Sequence, residues 1–292
     1  MTAAAVSPAE AFAHCRTLTH AHYENFPVAS RLIPKSLRQH VCNIYAFART
    51  ADDFADEAHY AGQRLDRLRE WRAMLFACAR GEASHPIFVA LGETIRACAL
   101  PVDLLNDLIT AFAMDCEKRR YATFAEVLHY CRHSANPVGR LILHLFGYVN
   151  ERWMTLSDHI CTALQLANFW QDVAVDIRKD RIYLPQDEMV RFGVREADLA
   201  ALPHDTASAN LRRLIQFQCE RTRALFHEGR ELCTLVPLPR LRWELKLTWL
   251  GGATILDKIA ANEYDVACRP TLGPWDWARL LIRSWRWKPM VS

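Results

Sequence analysis

The sequence predicts an all-α protein, and three observations support that fold class. Apolar residues recur at helical spacing through nearly every segment of the 292-residue chain. Glycine (10 residues) and proline (13 residues) are sparse for this length, which disfavours a loop-rich β architecture. No segment alternates apolar and polar residues in the way that a half-buried strand does. We therefore expect a single all-α domain over residues 1–292, built from about ten or more helices.

The first half of the chain contains four amphipathic helical stretches with recognisable ends. Ser36 precedes an apolar stripe that leads into an acidic cluster, Asp52 to Asp56. The third stretch stops before Pro101, because a proline disfavours helical geometry at the residue before it. The predicted helices run from Leu37 into the acidic cluster and over Leu65–Phe76, Ile87–Cys98 and Val102–Cys116.

The second half of the chain is also predicted to be helical, with one long interruption. Thr123 and Glu126 form a capping-box pattern that opens a helix through His129, and Asn136-Pro137 then interrupts the periodicity. An irregular connection is expected from Tyr183 to about Thr206, and a tail rich in Trp and Arg forms a helix at about 274–288. The remaining predicted helices are Leu141–Tyr148, Ser157–Ile177, Ala209–Leu235 and Leu241–Ala261.

Composition and charge exclude several classes of function. A net charge of +3 without a dense Lys/Arg block argues against a nucleic-acid partner. Ten widely spaced cysteines without a CxxC pair are typical of reduced, buried thiols and indicate the cytosol. The N-terminus has no basic region followed by an apolar stretch, so no signal peptide is expected. The longest apolar runs, 141–149 and 247–256, are too short for a bilayer, so we expect a cytoplasmic protein, soluble or peripheral on the inner membrane face.

The first acidic cluster places two aspartates, Asp52 and Asp56, four residues apart. This spacing puts both carboxylates on one helical face, which extends backwards to Arg49 and Tyr45. Asp53 lies a step round the helix, as a second layer or facing solvent. The alternative is an acidic surface turn that pairs with Arg49.

The second acidic cluster repeats this arrangement far along the chain. Gln165, Asn168, Asp172 and Asp176 follow each other at spacings of three, four and four residues, so two amides and two acids share one face. Buried polar side chains need hydrogen-bonding or metal partners. A solvated outer face is the alternative, but it leaves unexplained why Leu, Phe, Trp and Val fill the other faces.

Both clusters together indicate Mg²⁺ and diphosphate chemistry. If the two faces turn toward one cavity, four carboxylates are gathered there, and burying that much charge is unfavourable without cations between them. Mg²⁺ takes one or two carboxylates per ion and leaves positions for substrate phosphates, and Mn²⁺ is a second candidate. No Gly-rich phosphate loop occurs, so no nicotinamide cofactor is expected.

Three further features have two interpretations that the sequence leaves open. Arg178, Lys179 and Arg181 either neutralise a departing diphosphate or form an ordinary basic helix end. His129 and His133 lie four residues apart, but without a nearby third ligand we favour core or surface histidines. The tail at about 274–288 is either an interfacial helix on an anionic membrane or a helix whose tryptophans dock into the core.

These motifs, in this order, resemble the squalene/phytoene synthase family of head-to-head prenyl synthases, from about His22 to Arg269. The resemblance implies one isoprenoid-synthase-type helical bundle around a central cavity, with two aspartate-rich motifs that bind Mg²⁺ and a prenyl diphosphate. It rests on Asp52-Asp53-Phe54-Ala55-Asp56 and Asp172-Val173-Ala174-Val175-Asp176, with the flanking segments 45–49, 130–139 and 181–185.

The resemblance also implies roles for individual residues. Metal ligands are expected at Asp52, Asp56, Asn168, Asp172 and Asp176, and Arg49 and Tyr45 complete the catalytic set. Substrate-binding residues are expected at Asp53, Gln165, Asn168, Tyr130, Asn136, Arg181, Tyr183, His22 and Asn25.

Departures from the common family pattern narrow the expected reaction. Val175 stands where many members have an acid, Asn136-Pro137 replaces a pair that usually contains Gly, and Tyr23-Glu24-Asn25-Phe26 replaces a stretch resembling Ser-Lys-Ser-Phe. Segments 24–30, 134–139 and 168–176 resemble the bacterial hydroxysqualene synthase branch, which takes presqualene diphosphate to hydroxysqualene in hopanoid biosynthesis.

We therefore expect ionisation of presqualene diphosphate, rearrangement and capture of water, with contacts to neighbouring squalene-pathway enzymes and to a membrane surface as further expectations. The alternative reaction is condensation of farnesyl diphosphate to presqualene diphosphate or squalene, or of geranylgeranyl diphosphate to phytoene. The alternative of another class is a non-catalytic protein that binds a prenyl lipid or acts as a scaffold.

Overall fold

The computed structural model describes residues 6–21, 33–202 and 204–287, and these residues are all-α as predicted. The described part of the chain contains no β-strand, and one isolated backbone bridge joins Arg120 and Ile182. No helix in this part of the chain has the length and apolar character needed to cross a bilayer. All ten cysteines are free thiols, but the expected burial holds for only six of them, and Cys268 is exposed.

The helices up to residue 145 follow the predicted order, with one addition at the N-terminal side. The helix expected over Leu141–Tyr148 is shifted to Asn136–Leu145, so Asn136 and Pro137 open it instead of interrupting the pattern. The helix α1 was not predicted, whereas α2 to α5 match the four predicted stretches to within a few residues. Their bounds are α1 Pro8–Ala21, α2 Lys35–Asp56, a 3₁₀ turn Ala58–Tyr60, α3 Arg64–Ala79, α4 Pro86–Cys98, α5 Val102–Glu117, α6 Phe124–Ser134 and α7 Asn136–Leu145.

The helices after residue 150 are interrupted more often than the periodicity suggests. The irregular connection expected between Tyr183 and Thr206 contains two short helices, α10 and α11. The bounds are α8 Glu151–Gln171, α9 Val173–Asp176, a 3₁₀ turn Ile177–Lys179, α10 Gln186–Phe192, α11 Glu196–Ala200, α12 Ala209–Gly229, α13 Leu232–Leu235, α14 Pro239–Ala261 and α15 Pro274–Trp285.

The helix expected over Ser157–Ile177 bends at the second acidic cluster. It begins earlier, at Glu151, and ends at Gln171, because Asp172 leaves helical geometry with φ −104° and ψ 11°. The amide of Asp172 still donates to the carbonyl of Asn168 at 2.9 Å, and the amide of Asp176 donates to the carbonyl of Asp172 at 2.8 Å. The one-turn relation between the two carboxylates therefore survives the bend.

The predicted capping box at Thr123 forms with one difference: the Glu126 carboxylate binds the amide of Ala122 and not that of Thr123. The Thr123 hydroxyl accepts a hydrogen bond from the Glu126 amide at 3.4 Å, as expected. The Glu126 carboxylate accepts from the amide of Ala122 at 2.7 Å and from Lys118 Nζ at 2.8 Å. The side chains of Thr123 and Glu126 thus each accept a backbone N–H at the start of this helix.

The described chain falls into two compact units, and the first comprises residues 1–117 and 137–150. Here α2 packs against α1, α3, α4 and α5. Phe47, Trp71 and Phe88 form a buried aromatic cluster, with the Trp71 and Phe88 ring centres 4.5 Å apart. The buried Asn43 amide donates to Ala90 O at 3.0 Å, so a polar group inside α2 is satisfied. This packing fixes the helix that carries the first acidic cluster.

The second unit comprises residues 118–136 and 151–292, and it holds α8 against α12. Gly229 lets the two helices approach closely, since a Cβ there would lie 2.6 Å from Ile160 Cγ1 and 2.8 Å from Leu156 O. The buried Trp170 indole donates to Thr222 Oγ1 at 2.9 Å. These contacts hold α8, which ends directly before the acids of the second cluster, against α12. The expectation of a single domain over residues 1–292 stays a prediction.

Candidate active site

The first acidic cluster lies at the wall of an apolar cavity of about 320 Å³ within the first unit. Tyr45, Arg49 and Asp52 share one stripe of α2 and line this cavity, as their spacing predicts. The other lining residues are apolar: Val41, Ile44, Ala48, Leu108, Phe112, Val138, Leu141, Ile142 and Leu145. A few polar groups beside a mostly apolar pocket are typical of a small-molecule site, and the volume is near the lower end of the usual range of about 300–1,000 Å³.

Arg49 is held between two aspartates of its own helix. Its Nη1 lies 3.0 Å from Asp52 Oδ2, and its Nη2 lies 2.5 Å from Asp53 Oδ1. Its buried Nε has no hydrogen-bond partner. A buried donor without a partner calls for an acceptor from outside the chain, such as a water or a phosphate oxygen.

The alternative interpretation, an acidic turn that pairs with Arg49, is correct in that Arg49 forms ion pairs with Asp52 and Asp53. It does not account for the position of Asp52 on the cavity wall. Asp56, the last residue of α2, is exposed, and Asp53 is the partner with the shorter contact to Arg49. Burial raises the pKa of the Tyr45 hydroxyl, and the charge of Arg49 opposes that shift. Tyr45 is thus a neutral hydrogen-bonding group near neutral pH.

The second acidic cluster combines one exposed amide with two partly buried acids. Asn168 Nδ2 donates to Asp172 Oδ2 at 3.1 Å, which joins two members of the predicted face. Burial is the main cause that raises the pKa of Asp176 to about 7, and the negative charge of Asp172 adds to it. Gln165 is half-buried on the same helix. Burial thus disfavours the ionised form of Asp176 more than the nearby cations Lys179, Arg181 and Arg269 favour it.

Arg269 completes this cluster, although no sequence motif assigns it a role. Its guanidinium forms a bidentate ion pair with the Asp172 carboxylate, in which Nε contacts Oδ1 and Nη2 lies 3.2 Å from Oδ2. The neighbouring Pro270 carbonyl accepts from Gln171 Nε2 at 2.5 Å, so the segment after α14 is tied to the end of α8. No periodic signal marks Arg269, because it lies outside any helix and 97 residues from its partner.

Aromatic rings lie beside the second cluster in the same unit. The rings of Phe169 and Tyr183 are stacked with centres 3.7 Å apart, and Tyr130 lies within 6 Å of both, at 5.9 and 5.8 Å. Tyr183 and Arg181 line a small pocket together with Asp176. The structure thus brings together the predicted residues Tyr130, Asp176, Arg181 and Tyr183.

The remaining predicted residues have separate positions. Asn136 is the first residue of α7, and its side-chain oxygen accepts from Thr162 Oγ1 of α8 at 2.9 Å. His129 and His133 contact each other at the surface, with ring centres 4.6 Å apart. His22 and Asn25 lie outside the described residues.

The donor set suits Mg²⁺ that is shared with a substrate. In the residues that the structure describes, no three or more His, Cys, Asp or Glu side chains are grouped so that they alone would hold a metal ion. Mg²⁺ usually binds one or two carboxylates together with water and substrate phosphates, and each cluster offers two carboxylates one turn apart. That both clusters face one common cavity stays a prediction.

Comparisons with known proteins agree with this chemistry. A family model for squalene/phytoene synthase matches residues 19–286. A hydroxysqualene synthase of Rhodopseudomonas palustris is 38% identical over 226 residues, which cover 77% of this chain and 75% of that protein. A phytoene synthase of Arthrospira platensis is 30% identical over 269 residues, which cover 86% of this chain and 84% of that protein.

A solved structure extends the likeness to the fold. The squalene synthase HpnC from Alicyclobacillus acidocaldarius superposes with a TM-score of 0.83 at 43% sequence identity, covering 88% of this chain and 95% of that one. The predicted helical fold of the squalene synthase type is confirmed. Family members are head-to-head prenyl synthases of isoprenoid biosynthesis, which act on prenyl diphosphates and typically depend on Mg²⁺. With its motifs, its fold and a family match over residues 19–286, this chain belongs to the squalene/phytoene synthase family.

Proposed function

We propose that this family member is a hydroxysqualene synthase, which ionises presqualene diphosphate and captures the rearranged cation with water. The observation that carries the proposal is the apolar cavity whose wall bears Tyr45, Arg49 and Asp52. An apolar pocket with a cation and an acid on one wall suits a long prenyl chain with a diphosphate at one end. The 38% identity to a hydroxysqualene synthase supports this choice within the family.

The first step is cleavage of the carbon–oxygen bond to the diphosphate, which leaves with the electron pair. We assign two cations to the departing anion: Arg49, beside the first acidic cluster, and Arg269, beside the second. The unpartnered Nε of Arg49 offers one donor without breaking its ion pairs. Asp52, Asp56, Asn168, Asp172 and Asp176 are the oxygen ligands that would hold Mg²⁺, whose Lewis acidity stabilises the diphosphate charge.

The second step is rearrangement of the cyclopropylcarbinyl cation and attack by one water. We assign Tyr130, Phe169 and Tyr183 to the aromatic surroundings of this cation, because a cation is attracted to π-systems. The water oxygen forms the new carbon–oxygen bond and then transfers a proton to the released diphosphate, so the products are hydroxysqualene and protonated diphosphate. Asn136, whose amide oxygen is held by Thr162, is our candidate for orienting that water through its amide NH₂.

Incubation of the purified protein with Mg²⁺ and one diphosphate at a time tests the proposal. Presqualene diphosphate should give hydroxysqualene, whereas farnesyl and geranylgeranyl diphosphate should remain unchanged, as chromatography with mass spectrometry of the lipid fraction would show. Conversion of farnesyl diphosphate alone would contradict the proposal and favour the condensation reaction. Phytoene from geranylgeranyl diphosphate would favour the activity named for the 30% identical relative.

Variants separate catalysis from mere lipid binding. Asp52→Asn with Asp172→Asn should abolish product formation, because each substitution removes a proposed ligand. The matched control is Asp66→Asn with Asp103→Asn, which removes two acids from the first turns of α3 and α5. Full activity in the first double variant would show that the protein is not a catalyst that uses these clusters.

The role of Asn136 has its own test. Asn136→Ala should lower the yield of hydroxysqualene relative to hydrocarbon by-products, because a water that is not oriented captures the cation more slowly. An unchanged product distribution would remove Asn136 from the mechanism, whatever the total rate.

A further inference from the structure

The C-terminal helix α15 exposes large apolar side chains to solvent. Leu280 and Ser284 are buried, and they lie on the face that packs against α14. Trp275 and Trp285 are 83% and 86% exposed, and Trp277 is 51% exposed. Leu281 and Ile282 are exposed as well. Soluble surfaces rarely gather so many large apolar side chains on one short helix without a binding partner.

The exposed tryptophans do not hold α15 in place. Trp243 Nε1 of α14 donates to Ser284 Oγ at 2.8 Å, and Lys258 Nζ lies 2.8 Å from Asp276 Oδ2. The Trp287 ring lies 4.5 Å from the Arg230 guanidinium. Other residues thus anchor the helix, and the interpretation that the tail docks its tryptophans holds for one of them. Trp287 docks, whereas the three tryptophans of α15 itself stay exposed.

The exposed side chains of α15 are sorted by chemistry around the helix. With about 100° of rotation per residue, Trp277, Leu281, Trp285, Ile282 and Trp275 cover the arc opposite the buried face. One edge of this arc, between it and the buried face, carries the exposed arginines Arg279, Arg283 and Arg286. The helix therefore presents an apolar arc with a cationic border on one side.

Negative side chains nearby are already neutralised by other cations. Asp276 is the one acidic residue of α15, and it pairs with Lys258. Asp257 lines a groove together with Arg279 and Arg283, but its carboxylate pairs with Arg223 at 2.7 Å. The border arginines are thus available to an external anion.

We propose that α15 binds the surface of an anionic lipid bilayer, with its tryptophans at the headgroup–acyl boundary and its arginines at the lipid phosphates. Indoles suit that boundary because they are apolar with one polar N–H, and arginines add attraction to anionic lipids. A second copy of this chain is disfavoured as the occupant in an antiparallel two-fold arrangement, since that pairing of α15 would bring two rows of arginines together. The proposal is independent of which prenyl diphosphate the enzyme uses.

Co-sedimentation of the full-length protein with vesicles tests the proposal. The protein should bind vesicles of phosphatidylcholine mixed with phosphatidylglycerol, bind vesicles of phosphatidylcholine alone far more weakly, and dissociate from the anionic vesicles as salt is added. Trp275→Gln with Trp285→Gln should lower the partition coefficient about ten-fold. Arg279→Gln, Arg283→Gln and Arg286→Gln together should lower it about a hundred-fold, because each charge near an anionic surface contributes about five-fold.

Matched controls remove similar groups elsewhere. Val190→Gln deletes an apolar side chain that is 79% exposed on α10, and Arg67→Gln, Arg69→Gln and Arg80→Gln remove three exposed positive charges in and after α3. Both controls should keep vesicle binding within about two-fold, because general hydrophobicity and net charge are not what the proposal invokes. All substituted side chains are exposed, and unchanged thermal melting would show that each variant folds.

Two results would overturn the proposal. One is the absence of binding to anionic vesicles, or binding that the α15 variants leave unchanged. The other is concentration-dependent dimerisation without lipid that Trp275→Gln with Trp285→Gln abolishes, because α15 would then be covered by a second copy. Loss of vesicle binding in the α15 variants alone supports the proposal.

Discussion

Replacing Asp176 by Asn should stabilise the metal-free protein at neutral and alkaline pH. The carboxyl has a pKa of about 7 in the folded protein, compared with an ordinary value of 3.8, chiefly because burial disfavours its charged form. Folded protein therefore binds the proton more tightly than unfolded protein does. Stability from this group is fully present below about pH 4 and is lost as pH rises to about 7.

The size of the effect follows from the same pKa. At about 1.4 kcal/mol for each pH unit between 3.8 and about 7, the ionised carboxylate lowers the free energy of unfolding by up to about 4 kcal/mol. This is an upper value, because the side chain is only partly buried. Asn keeps the shape but cannot ionise, so the Asp176→Asn variant avoids this loss. The gain should be small near pH 4 and should level off above pH 7.

Urea denaturation at a series of pH values, with a chelator present, measures the difference. The matched control is Asp66→Asn, which replaces an exposed carboxyl on α3 and should show no comparable pH-dependent gain. Added Mg²⁺ should then raise the stability of the native sequence at pH 8 more than that of Asp176→Asn, since a bound cation favours the ionised carboxylate. A variant that is no more stable than the native protein at pH 8 without metal would refute the reasoning.

Three further substitutions test the site and the packing that supports it. Arg269→Gln should lower kcat/KM about ten- to a hundred-fold while leaving the melting temperature nearly unchanged, because its ion pair with Asp172 is partly exposed. Steady-state kinetics and thermal melting would show this. A marked fall in the melting temperature together with the fall in kcat/KM would contradict it. Gly229→Ala should destabilise the protein by about 1–3 kcal/mol in urea denaturation, because its Cβ would overlap α8. The control Gly251→Ala, whose Cβ meets only an ordinary contact at 3.9 Å, should be neutral or stabilising by up to about 1 kcal/mol. Val138→Phe should raise KM for the prenyl substrate by filling part of the apolar cavity, and an unchanged KM would place the chain elsewhere.

Local patterns predicted the helices best where apolar periodicity and end signals coincide. Val102 to Cys116 was predicted as a helix, and α5 is Val102–Glu117. The helix expected over Ser157–Ile177 was wrong in its ends, since the bend at Asp172 has no Gly or Pro signal. The short helices α10 and α11 were missed because seven or five residues are too few to establish a 3.6-residue period.

The candidate site was predicted to the extent that it lies within single helices. Tyr45, Arg49 and Asp52 share a stripe because positions three and four apart on a helix are neighbours. Arg269 could not be found in this way, because its contact with Asp172 joins residues 97 apart. The same holds for the Thr162–Asn136 hydrogen bond and for the stacking of Tyr183 on Phe169.

The amino-acid sequence by itself determined the all-α class, the two acidic faces and the family, because these depend on spacing along a helix and on residue types. Tertiary structure decided the surroundings of the second acidic cluster, since burial raises the pKa of Asp176 and Arg269 forms an ion pair with Asp172. It also decided which tryptophans of the tail face solvent, because only packing against α14 selects one face of α15. Helical spacing shows which residues share a face, but only the packing of one helix on another determines which face is buried.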